Sequence, residues 1–231
     1  MAGKAVPTRQ WKDNTMGNRA IITNKDKQLA IYLHWNGGRD SVEAFAEYCK
    51  LKNYSPGDYG FARMCQVIGN FFGGTSSVGI FPYPGDEKAI HCADDNGVYI
   101  LENWEIVGRI YPKRWHGIER EQRSYDLHEM LKDIDEAQPD GERLGAFIDA
   151  VEIPVDELEK GDMVWMHDRL HGTLSCYEVV GFGTRDAVNG RGFLGKPYVA
   201  KYGLNTERGP EMNPNNYPHV FGKTCRITPR G

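Results

Sequence analysis

The feature that most constrains this chain is a change of hydrophobic period at residues 36–38. Before it, "RAIIT" (19–23) and "LAIYLHW" (29–35) are β-branched and aromatic runs joined by the polar "NKDKQ", which predicts a β-hairpin. After Asn36, Gly37 and Gly38, the apolar residues Val42, Phe45, Ala46 and Cys49 recur at i, i+3, i+4 and i+7. That spacing predicts a helix, with Asp40 or Ser41 as its cap. A strand that ends in two glycines and resumes as an amphipathic helix folds as helix on sheet.

The pattern continues along the chain. Past the turn "NYSPGDYG", Phe61, Met64, Cys65, Ile68, Phe71 and Phe72 predict a second helix, with Gly73 and Gly74 as its left-handed stop. "SSVGIF", "GVYIL" and "EIVGRIY" predict three more strands. Residues 1–16 are polar and aperiodic and read as a flexible arm. The fold class is therefore α+β: over 17–115, an N-terminal antiparallel sheet with two packed helices.

Two further segments follow. Residues 116–142 hold a charged helix and linker, where Leu127, Met130, Leu131 and Ile134 keep a helical stripe and Glu129, Asp133 and Glu136 form an acidic side. Residues 143–231 are short strand-like runs punctuated by Gly, Pro and Asn, and "LEKGDMVWM" resembles the strand entry of small barrels. This predicts a C-terminal SH3-like β-barrel or rolled sheet.

Composition bounds function. A hydrophobic share of 40% with 26% charged residues supports a packed core. The net charge of −4 argues against a general nucleic-acid binder, which carries a basic face. Five cysteines without a CxxC pair read as reduced thiols, not as a disulfide framework or zinc site. With no leader and no apolar run near membrane-spanning length, the expected location is cytoplasmic, with no membrane partner.

Motifs that could carry chemistry are few. "NGGRDS" resembles the SGGxDS signature of the PP-loop ATP pyrophosphatases, with Asn36 where that motif has serine. The resemblance implies a nucleotide-binding enzyme in which Asn36, Gly37, Gly38, Arg39, Asp40 and Ser41 face a phosphate at a helix start. The same residues also suit a purely structural strand-to-helix corner. "IHCADD" groups His91, Cys92, Asp94 and Asp95 and reads as an exposed loop; Cys65 falls on a buried stripe. "HDRLH" sets His167 and His171 four apart around Asp168, but between strands it reads as a hairpin turn. No catalytic residue, metal site or cofactor is expected from these patterns.

Two long turns, "DAVNGRGFLGKPY" and "EMNPNNYPHVFG", carry Phe193, Tyr198, Tyr217, His219 and Phe221 beside turn formers, as contact loops do. A lesser expectation is a nucleic-acid-binding accessory protein that uses the C-terminal barrel, with Arg185, Arg191, Lys196 and Lys201 meeting phosphates and the aromatics stacking on bases.

The segments "MGNRAIIT", "IYLHWNGGRDSVEAFAEYCK", "DYGFARMCQVIGNFFGG" and "DNGVYILENWEIVGR", within residues 16–109, resemble a group of small bacteriophage and mobile-element proteins. That resemblance implies a phage or mobile-element setting in the host cytoplasm, and in that setting a mildly acidic chain with no assembled catalytic set is expected to be a non-enzymatic binding protein. Its partner would be a host protein or protein–nucleic-acid complex, as for anti-defence (anti-CRISPR-like) inhibitors. The expected contact residues are Trp35, Asn36, Arg39 and Asp40 at the corner, Glu129, Asp133 and Glu136 on the acidic helix, and Phe193, Tyr198 and Tyr217 in the loops.

Overall fold

The structure, a computed structural model, describes residues 18–74, 77–111, 125–167, 174–182 and 223–230, with residues 197–201 described through their backbone. The chain divides into two compact units, Met1–Gly141 and Glu142–Gly231.

The first unit is built on a five-stranded sheet. Its strands are β1 (Ala20–Asn24), β2 (Leu29–Leu33), β3 (Val78–Pro82), β4 (Val98–Glu102) and β5 (Glu105–Ile110), in the order β3-β2-β1-β4-β5. The expected hairpin joins β1 to β2, with Ile22 opposite Ile31. The sheet is not wholly antiparallel as expected from sequence: β1 and β4 run parallel, with Ile21 beside Val98 and Ile22 beside Tyr99. The chain between β3 and β4 returns to the end where β1 began, and a parallel pair needs such a crossover.

That crossover contains a helix where a loop was expected. Helix α3 (Asp86–Cys92) covers most of "DEKAIHCADD" and starts after Gly85 at φ 89°. Ala89, with Ala93 just beyond the helix, packs on Ile21, Ala30 and Val98. Small alanines give a weak amphipathic signal, so the periodicity did not reveal it. The other sheet face carries α1 (Arg39–Leu51) and α2 (Asp58–Phe71); a Cβ at Gly69 of α2 would sit 3.7 Å from Val78. Phe45, Tyr48, Met64 and Ile68 fill the layer between. Helix α2 stops as expected at Gly73, φ 67°, whose neighbour Gly74 donates to the Gly69 carbonyl. Cys65, expected to be buried on its stripe, is only half-buried.

The acidic helix α4 (Leu127–Glu136) lies within this unit, where it packs against α1. Asp126 caps it, accepting from the amides of His128 at 2.9 Å and Glu129 at 3.1 Å. Met130, Leu131 and Ile134 are buried, whereas Leu127, expected on the same stripe, is 47% exposed. The Tyr48 hydroxyl donates to the Asp135 carboxylate at 2.7 Å, tying α4 to α1.

The second unit is a sheet of β6 (Val151–Pro154), β7 (Met163–His167), β8 (Leu174–Phe182), β9 (Pro197–Lys201) and β10 (Thr224–Ile227), in the order β6-β10-β7-β8-β9. Val155, Leu158, Val164, Val179 and Ile227 form its core. Among the described residues no pairing of β6 with β9 closes it into a barrel. The "EKGD" turn is clamped from the far end of the chain. Asp162 accepts from Nε and Nη2 of Arg230, each at 2.8 Å, and from the Glu159 amide at 2.7 Å. These bonds hold the Asp162 carboxyl below the usual range, with the Arg230 hydrogen bonds the leading cause.

Candidate functional site at the end of the first sheet

Helix α1 lies along β5. At its last turn Lys50 reaches Glu105 at 3.5 Å, so its first turn stands over the other end of the sheet, where β1 and β4 begin and β2 and β5 finish. The hinge of this corner is Gly37. Its amide donates to the Asn18 carbonyl at 2.8 Å, and a Cβ would lie 2.5 Å from that oxygen and 2.7 Å from Ala20. Glycine is required here by close approach. Asn36 sits at φ 52°, a conformation asparagine tolerates better than most residues.

The predicted cap is corrected. Gly38 occupies the N-cap and supplies no side-chain acceptor. Asp40 is the second residue of the helix, within its first turn, and its carboxylate accepts from the Ser41 amide at 2.7 Å and from the Tyr125 amide at 3.1 Å. Arg39 donates to Glu43 at 2.7 Å along the helix.

A contiguous polar ring closes the sheet end. The Asn18 side chain accepts from Asn96, whose Nδ2 also donates to the Arg19 carbonyl at 3.1 Å. The Asn96 carbonyl accepts from Arg109 Nε at 3.0 Å and Nη2 at 2.9 Å. The Arg109 guanidinium lies 4.4 Å from the Tyr99 ring centre and 4.9 Å from that of Tyr111. Burial pushes the Tyr99 phenol well above its ordinary value, Arg109 opposes that shift, and the fields of Asp40 and Arg39 reach it too.

Within this ring three buried side-chain atoms have no hydrogen-bond partner: Asn36 Nδ2, Asn96 Oδ1 and Tyr99 Oη. Asn36 is 7% exposed, and Asn96 and Tyr99 are 0% exposed. Leaving a buried polar group unmatched costs about 1–3 kcal/mol, and such groups are rare in folded proteins. Their concentration at one sheet end marks it as the candidate site.

Of the residues singled out from sequence, the structure gathers Asn36, Gly37, Gly38, Arg39, Asp40 and Ser41 here. Trp35 is 38% exposed and packs edge-on against His34 at 4.8 Å. Strand β2, which feeds the glycine turn, has antiparallel neighbours on both sides, β1 and β3. On α4, Glu129 and Glu136 are exposed and Asp133 is half-buried. Tyr198 and Lys201 lie in β9, described by backbone. Asp168, His171, Arg185, Arg191, Phe193, Lys196, Tyr217, His219 and Phe221 lie outside the described residues. Asn96, Tyr99 and Arg109 were missed by sequence reading, since cross-strand register alone brings them to the corner.

At the opposite end of the same sheet, a polar depression of about 500 Å³ is lined by Lys25, Asp58, Phe61, Glu102 and Trp104 among others. Among the described residues no group of three His, Cys, Asp or Glu side chains is placed to share a metal ion, and no helix is long and apolar enough to cross a membrane. Compared with known proteins, the chain matches no family model, no curated protein and no solved structure.

Proposed function

We propose that this protein acts by binding a macromolecular partner through the α1 corner and the adjoining face of α4. The observation that carries the reading is a cluster of exposed apolar side chains beside the corner. Trp35 is 38% exposed, and Tyr125 and Leu127 are each 47% exposed. The Tyr125 amide is anchored to Asp40, so this ring is presented from a fixed backbone. Exposed large aromatics held on rigid elements are the usual anchors of protein interfaces. The exposed carboxylates of Glu129 and Glu136, on the same helix as Leu127, favour a basic partner surface.

The partner we infer is a host protein or protein–nucleic-acid complex, with the chain encoded by a phage or mobile element and working as an anti-defence, anti-CRISPR-like inhibitor in the host cytoplasm. The second unit, read as an SH3-like rolled sheet, would add the aromatic residues Phe193, Tyr198 and Tyr217 as further contacts.

The test is affinity capture from host lysate, with and without nuclease, comparing the wild type with Trp35→Ala/Tyr125→Ala. The expected result is one nuclease-resistant protein whose affinity falls by about 30-fold or more in the variant, the loss of a 2 kcal/mol hot spot. Equal capture by the variant would remove the corner from the interface, and a partner lost on nuclease treatment would point to nucleic acid instead.

A further inference from the structure

We infer that the sheet end beneath the first turn of α1 is a binding site for a small hydroxylated oxyanion, hydrogen phosphate in its simplest form, held by Asn36, Asn96 and Tyr99. The starting point is what the buried, unpartnered side chains offer. Asn36 Nδ2 brings N–H donors and Tyr99 brings an O–H, and both are buried without a partner. The start of α1, with a glycine N-cap and no side-chain acceptor, adds the positive end of a 13-residue helix.

The charges agree with the donors. Arg39 stands on the helix side and Arg109 on the sheet side, the latter spread over the Tyr99 and Tyr111 rings. The carboxylate of Asp40 is engaged by the amides of Ser41 and Tyr125. Asn96 sets the selectivity. Its Nδ2 is committed to Asn18 and Arg19, so Oδ1 is left as an unpaired acceptor. An acceptor in an otherwise donating ring is satisfied by an oxyanion that keeps a proton. Hydrogen phosphate has one near neutral pH; sulfate and acetate do not.

Named contacts run in series across this sheet end. Gly37 reaches Asn18, Asn18 reaches Asn96, Asn96 reaches Arg109, and Arg109 covers Tyr99. A ligand here would therefore join β1, β4, β5 and the α1 corner at the end of the sheet.

The experiment titrates inorganic phosphate, sulfate and acetate separately, at constant ionic strength, against the full chain, read by calorimetry and by thermal unfolding. The variants are Tyr99→Phe and Asn36→Gly, the second because glycine keeps the left-handed backbone while deleting the amide. Phosphate is expected to bind and raise the unfolding temperature, ahead of sulfate and well ahead of acetate. Each variant is expected to bind phosphate about tenfold more weakly or worse, the loss of one hydrogen bond to a charged group, while folding as the wild type does by circular dichroism. No phosphate-dependent shift in the wild type would overturn the inference. So would unchanged phosphate affinity in both folded variants, which would locate the ion elsewhere.

Discussion

Two glycines in α2 make opposite predictions from the same substitution. Gly60 and Gly69 both lie inside the helix, where alanine is favoured over glycine by about 0.5–1 kcal/mol on propensity alone. At Gly69 a methyl would meet only Val78, at 3.7 Å, which is ordinary contact. Gly69→Ala is therefore expected to stabilise the first unit by about 0.5–1 kcal/mol. At Gly60 the methyl would overlap the Ser55 carbonyl oxygen and lie 2.7 Å from Trp104 Cζ2. The Ser55 oxygen is backbone and cannot rotate away. Trp104 is pinned by its indole N–H to the Tyr54 carbonyl at 2.8 Å and by stacking on Phe61 at 5.9 Å. Overpacking of this kind costs about 1–3 kcal/mol, which outweighs the propensity gain. Gly60→Ala is expected to destabilise by about 1–2 kcal/mol after that offset. Urea unfolding followed through tryptophan fluorescence reports both, since Trp104 is 6% exposed in the fold. A shift of the same sign in both variants would refute the argument that close approach, not helix propensity, selects glycine at position 60.

Tyr48→Phe deletes the bond to the buried Asp135 and is expected to cost about 1–3 kcal/mol, with hydrogen exchange rising first along α4. Arg230→Met is expected to weaken the second unit at neutral pH and to converge with the wild type in acid. The sign follows from the depressed Asp162 carboxyl, whose stabilisation is complete above the unfolded-state value and disappears as pH falls through the folded one. Denaturant midpoints of both proteins across the acid range would check it, and a gap that widened in acid would contradict it. Alkylation with iodoacetamide at pH 8 is expected to label exposed Cys92 ahead of Cys225, whose thiol burial pushes up to about 11, and of fully buried Cys49. A mass-spectrometric time course reads the order.

Local pattern disclosed most of the first unit. The hairpin, both long helices and the strands after them follow from periods of 2 and 3.6 residues, and Gly73 stops α2 by its left-handed backbone. Non-local pairing was not legible. The parallel partnership of Ile21 with Val98 leaves no mark on either strand's own pattern. Helix α3 was hidden because alanine does its packing. The corner was singled out from Asn36 to Ser41, but half of the ring around it lies on β4 and β5. Tyr99 meets Arg109 only through sheet register, and nothing in "NGVYIL" or "EIVGRIY" read separately signals that meeting. Likewise Asp40 has the side chain of a cap, yet the turn places glycine at the cap and spends the carboxylate on Tyr125, distant in the chain.

The parallel β1–β4 pair also sets a clock for synthesis. Strand β1 is central, with Ala20, Ile21 and Ile22 fully buried, and only one of its two edges can be satisfied by the adjacent β2. The other waits for β4, and a ribosome making about 5–20 residues per second takes on the order of 4–16 s to pass from Asn24 to Glu102. Throughout that interval the nascent chain presents an apolar strand with an unpaired edge, the species most prone to pair with a neighbouring chain. Slowing translation before β4 should therefore lower soluble yield, while co-expression with a chaperone that shields apolar strands should restore it.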